Sequence, residues 1–184
     1  MGSPADGDIG GASSFRALII PWPSLPFTGA PSENPTRDTR PIMEGVSPDE
    51  LVLLEQALLH AKTLLTELDG FFPYALVRDA HGSVRPYLLY PEDGPVEVSI
   101  VEFRTKLIDL LSADIQAGTI SEYVVATNVR ARRPGSQRDF DAVEMKFSGQ
   151  DKFRPTYYVE YDAEDGGVRF FDPFAVRPDQ LSNP

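Results

Sequence analysis

The sequence predicts an α+β domain in two layers: an antiparallel sheet of five or six strands with two main helices packed on one face. Three observations carry that expectation. Two stretches with apolar residues at spacings of three and four each open on a Ser-x-x-Glu signal, at Ser47 and at Ser99. Short runs rich in valine, tyrosine and phenylalanine alternate with polar residues, and turn-forming clusters separate them. The order helix, strand, strand, helix, then up to four strands, fits helices gathered against one antiparallel sheet.

Residues 1–42 hold 7 of the 17 prolines and 5 of the 14 glycines, a composition that buries little and loses much entropy on ordering. Residues 1–44 are therefore expected to be disordered or loosely docked, ahead of one domain over 45–175 and a short tail over 176–184. Leu18–Phe27, which contains the only tryptophan, is the part expected to dock. Met43 would serve as an alternative start of the chain.

Within the domain, Ser47-Pro48-Asp49-Glu50 combines a capping serine, a proline suited to the first helical position and a glutamate that closes a capping box. Leu51, Leu54, Leu58, Ala61, Leu65 and Leu68 mark its apolar face, and Gly70 is expected to end the helix in a left-handed conformation. The next stretch, FFPYALVRDAHGSVRPYLLYPEDG, reads as a hairpin. Phe72, Tyr74 and Leu76 face one side, Phe71, Ala75 and Val77 the other, and Asp79-Ala80-His81-Gly82 makes the turn. Pro73 and Pro86 each remove a ladder donor, which points to strand ends, bulges or an edge.

A second box, Ser99-Ile100-Val101-Glu102, opens a helix whose buried face is Ile100, Phe103, Leu107, Leu110, Leu111 and Ile115, ending at Gly118. Thr119–Arg132 alternates with Tyr123, Val125, Thr127 and Val129 on one side. Phe140–Phe147, Pro155–Tyr161 and Val168–Phe171 complete the series.

At this point the chain resembles a loose group of small bacterial α+β proteins with a leading helix, a Phe-x-Pro-aromatic-Ala strand and an Asp-x-x-Gly hairpin. Phe71-Phe72-Pro73-Tyr74-Ala75 and Asp79-Ala80-His81-Gly82 carry the resemblance, over about residues 50–172. It implies no particular activity. The element order is also similar to roadblock and profilin-like domains, which implies a binding scaffold; the helix that usually ends that pattern is missing, because PFAVRPDQ is a poor helix former.

Chemistry is bounded mainly by exclusion. With no cysteine, thiolate nucleophiles, disulfides and cysteine metal sites are ruled out, and a reducing cytoplasm is the expected location. The net charge of −11 opposes nucleic acid and anionic membranes. His60 and His81 are the only histidines, too few for the usual histidine-based sites, so no catalytic residue, metal or cofactor is assigned. Asp162–Gly167 lacks the ligand alternation of a calcium loop, and no phosphate-binding glycine motif or nucleophile elbow is present.

Two features remain. Arg130, Arg132, Arg133 and Arg138 converge at one hairpin, and aromatic residues, Tyr157, Tyr158, Tyr161 and Phe171 among them, crowd the last strands. With both helices on one face, the other face would be free to bind. The expectation is a non-enzymatic protein-binding module, immunity-like or adaptor-like, whose partner is another protein or a second copy of the chain. The alternative is a small ligand-binding domain or hydrolase with a pocket between the second helix and the first hairpin, where Tyr74, Tyr87, Asp79 and Glu92 would supply polar contacts.

Overall fold

A computed structural model describes residues 15–19, 46–68, 70–91, 99–133, 135–149, 154–164 and 167–177. Among these residues ten elements follow one another: β1 (Phe15–Ile19), α1 (Pro48–Leu68), β2 (Tyr74–Asp79), β3 (Val84–Pro91), α2 (Ile100–Gln116), β4 (Ile120–Arg132), β5 (Asp139–Phe147), β6 (Thr156–Glu164), β7 (Gly167–Phe170) and β8 (Phe174–Val176). The fold is α+β, as expected. The strands form one antiparallel sheet in the order β1-β3-β2-β4-β5-β6-β7, and β8 also pairs with β6. β7 pairs with residues 161–164 of β6 and β8 with residues 156–158, so they follow one another along its length. Two strands exceed the expected count: β8, and β1, which lies in the N-terminal segment and pairs with residues 87–91 of β3.

Local signals place the element ends. Ser47 N donates to Glu50 Oε2 at 2.8 Å and Glu50 N to Ser47 Oγ at 3.2 Å, a closed capping box. Glu102 N donates to Ser99 Oγ at 3.1 Å at the start of α2. Gly118 follows α2 at φ 72°, and Gly82 closes the first hairpin at φ 84°, conformations that cost a residue with a Cβ. Asp79 Oδ1 accepts from the backbone N–H groups of His81 and Ser83, both at 2.9 Å. The bond from Ser83, with help from His81 and Arg85, holds the Asp79 carboxyl below its usual range.

Two expectations about α1 and its end are corrected. The α1 side chains that bury are Leu53, Leu54, Ala57, Ala61 and Leu65, while Leu51 and Leu68 are 37% and 66% exposed. The stripe is thus centred elsewhere than the leucine spacing suggested, because leucines lie on both flanks of this helix. Gly70 does not adopt positive φ. It lies where an added Cβ would approach Asn128 Nδ2 to 3.5 Å.

The larger correction concerns the layers. Leu53, Ala57 and Leu65 of α1 pack with Tyr74, Leu76, Val124, Ala126, Val143 and Met145. Phe103, Leu107 and Leu111 of α2 pack with Ala75, Val77, Tyr87, Leu89, Tyr123 and Val125. Successive strand residues face opposite sides, so the helices lie on opposite faces and the middle of the sheet is sandwiched between them. Tyr74-Ala75-Leu76-Val77 and Tyr123-Val124-Val125-Ala126 are buried at every position, the pattern of strands covered on both faces. Connectivity requires the same result. β3 and β4 flank β2 and run parallel to each other, so α2 is a crossover lying over one face. α1 then covers the other. Outside the sandwich, Arg154 donates to Glu50 and to the carbonyl of Ser148, joining the start of α1 to the end of β5.

Candidate functional site

On the α2 side, the helix lies over β2, β3 and β4. Beyond it, among the described residues, no helix packs on the strip formed by β5, β6 and β8. Register builds what lies there. Glu144 is opposite Tyr158, Ala142 opposite Glu160 and Tyr158 opposite Phe174, so alternate residues of three strands share one surface. The Tyr158 and Phe174 rings stack at 5.6 Å, and Phe140 meets Phe174 edge-on at 5.8 Å. Arg133, just past the end of β4, lays its guanidinium 4.7 Å from the Phe174 ring centre and 5.7 Å from that of Phe140. Its Nη2 donates to Glu160 Oε2 at 2.8 Å, with the arginine side chain 49% exposed.

Where this strip meets α2, a polar cluster fixes it. Arg104 Nη1 donates to Glu144 Oε1 at 2.6 Å, and Tyr158 OH donates to Glu144 Oε2 at 3.0 Å. Lys146 Nζ is 3.6 Å from Glu144 Oε1. Burial, reinforced by the neighbouring carboxylate, pushes the Tyr158 phenol well above its usual pKa, so the hydroxyl remains a donor. Thr127, the cross-strand neighbour of Glu144, is buried with its Oγ1 unpartnered.

The expected binding residues separate. Arg133 and Tyr158 belong to the strip. Phe171 is half-buried on the same side, with the Arg169 guanidinium 4.7 Å from its ring centre. Tyr157 is 1% exposed and packs in the core beneath α1, so it is no surface residue. Tyr161 is half-buried on the α1 side and donates to Asn128 Oδ1 at 2.9 Å. Arg130 pairs with Asp141 at 3.6 Å and Arg132 with Asp139 at 2.7 Å, both across the β4–β5 ladder. Arg138 is exposed, and its backbone bonds with Ser136 shape the hairpin. Most of the arginine hairpin is therefore committed to neighbouring carboxylates, and Arg133 alone reaches an aromatic surface as well. The expected set missed Phe140, Phe174, Glu160 and the Arg104–Glu144 pair. Phe174 carried a signal in the aromatic crowding, whereas Arg104 lies 40 residues from Glu144 and had none.

The expected pocket between α2 and the first hairpin is filled by Ala75, Val77, Tyr87 and Leu89. Tyr87 donates to Asp114 Oδ2 at 2.9 Å, Tyr74 faces α1 on the opposite side, and Glu92 lies outside the described residues. A different hollow, of about 570 Å³, opens on the α1 side beside Leu65, lined by Asn128, Arg130, Asp141, Tyr161 and Asp162. His60 sits on α1, where burial lowers its pKa, and His81 is exposed in the first hairpin. Among the described residues, no group of three His, Asp or Glu side chains is placed to hold a metal ion, and no helix is long and apolar enough to cross a membrane. No family model, no curated protein and no solved structure matches the chain.

Proposed function

We propose that this chain is a cytoplasmic, non-enzymatic protein-binding module, immunity-like or adaptor-like, and that its partner docks on the β5–β6–β8 strip. The observation that carries the reading is the surface of Arg133, Tyr158 and Phe174, backed by the buried Phe140 ring, on a sheet face with no described helix over it. Aromatic rings and arginine are the side chains that concentrate binding energy at protein interfaces. Stacking on the rings and pairing with Glu160 preorient the guanidinium, which lowers the ordering cost of binding. The strip offers contact rather than turnover: its one buried carboxylate, Glu144, already accepts from Arg104 and Tyr158.

The test is capture from a lysate of the source cell with wild-type protein and with Arg133→Glu. A partner held by the wild type and lost by the variant is expected. A partner that the variant retains, or none for either, counts against the strip.

The hollow on the α1 side favours a second reading, a site for a small polar ligand, because Asn128, Arg130, Asp141 and Tyr161 line it together. Binding of a small molecule that Asp141→Asn abolishes and Arg133→Glu leaves intact would favour it.

A further inference from the structure

The two ends of the sheet differ. At one end the outer strand is interrupted: β7 has four residues and β8 three, and Asp172-Pro173 lies between them. Short pieces, proline and charge are the devices that keep sheet edges from pairing. At the other end, β1 pairs with β3 over five consecutive residues, from Phe15 opposite Pro91 to Ile19 opposite Tyr87. Among the described residues no strand pairs with its outer side. The sequence Phe15-Arg16-Ala17-Leu18-Ile19 has no proline and one charge.

We propose that the outer side of β1 pairs antiparallel with β1 of a second copy of this chain, about a two-fold axis at Ala17. In that register position 15 meets 19, position 16 meets 18, and Ala17 meets its own copy. Arg16 then faces a leucine position, whereas an axis at residue 16 would set two arginines directly opposite each other, a destabilising arrangement. Pro21 lacks the donor that a longer ladder would use. The pairing is isologous, so two chains close the assembly and consume both β1 edges. The interrupted β7–β8 edges are left at the two ends. The β5–β6–β8 strips lie far along the sheet from the join, so the dimer would carry two partner sites. Its formation does not depend on either strip having a partner.

Cysteine chemistry gives a clean test, because the chain has no cysteine of its own. Directly opposite residues of an antiparallel pair lie about 5 Å apart, within reach of a disulfide. Sedimentation of the wild-type chain over a dilution series is expected to show a two-chain mass that dissociates to one. Ala17→Cys is expected to give covalent dimer on mild oxidation far faster than Ala80→Cys, a control in the exposed hairpin turn. A one-chain mass at every dilution overturns the proposal. So does a wild-type dimer in which Ala17→Cys crosslinks no faster than Ala80→Cys, since the join would then lie elsewhere. Arg133→Glu is expected to leave the mass unchanged, which separates failure of this pairing from failure of the partner strip.

Discussion

His60 shows how one residue's chemistry depends on the layer above it. It lies on α1 with its ring 4.7 Å from that of Tyr74, and burial lowers its pKa below the ordinary 6.5. The unfolded chain therefore takes up a proton first as pH falls, and unfolding gains. Stability is expected to be full above about pH 6.5 and to fall as pH drops below that value towards the folded-state pKa. Asp79, held low first by the Ser83 N–H, adds a further loss as pH drops through the carboxylate range. Glu50 does the same: burial raises its pKa, but Ser47 and Arg154 outweigh burial. Urea midpoints measured from about pH 8 down to about pH 5 check the first part; His60→Gln is expected to flatten it and to leave the carboxylate part in place. A slope unchanged in that variant would place the titrating group elsewhere.

Among the elements, the two helices are started by similar chemistry with different consequences. At Ser47 the box also carries Arg154, since Glu50 accepts from both Ser47 N and the arginine. Among the described residues, the Ser99 hydroxyl bonds only with Glu102, within the helix's own first turn. Loss of a serine cap costs about 1 kcal/mol. Ser47→Ala and Ser99→Ala are both expected to lower unfolding free energy by about that amount, the former more because the Arg154 tie loosens with it. Equal losses in urea titrations would mean that the tie is independent of the cap. Burial outweighs either cap, since each fully buried leucine contributes about 1.5–3 kcal/mol. Leu53 on α1 and Leu107 and Leu111 on α2 are all fully buried.

For the whole molecule, the helices on opposite faces set a gradient of protection along the sheet. β2 and β4 lie beneath both α1 and α2, whereas β7 and β8 share one edge of β6. Amides of residues 75–77 and 124–126 are expected to exchange with solvent slowest, through global unfolding, and those of β7 and β8 much faster, through local opening. Hydrogen exchange followed by mass spectrometry checks this; exchange of β2 as fast as that of β8 would contradict the sandwich.

The sequence alone shows both helices, six of the eight described strands and most of their ends, but not β1 or β8. Ser-x-x-Glu boxes, Gly82, Gly118 and the Asp79 turn act through bonds within a few residues, so they can be read without knowing what packs above. It also held a signal that alternation alone obscures: Tyr74–Val77 and Tyr123–Ala126 are apolar at consecutive positions, as strands buried on both faces must be. Packing alone puts α1 and α2 on opposite sides, turns Tyr157 inward and Tyr158 towards Glu144, and makes Arg133 the hairpin arginine that reaches the rings. The physical reason is that periodicity states which residues leave water but not what they meet. That pairing is settled by a crossover from β3 to β4 and by ladders joining residues far apart in the chain, and with it the strip of sheet that no described helix covers.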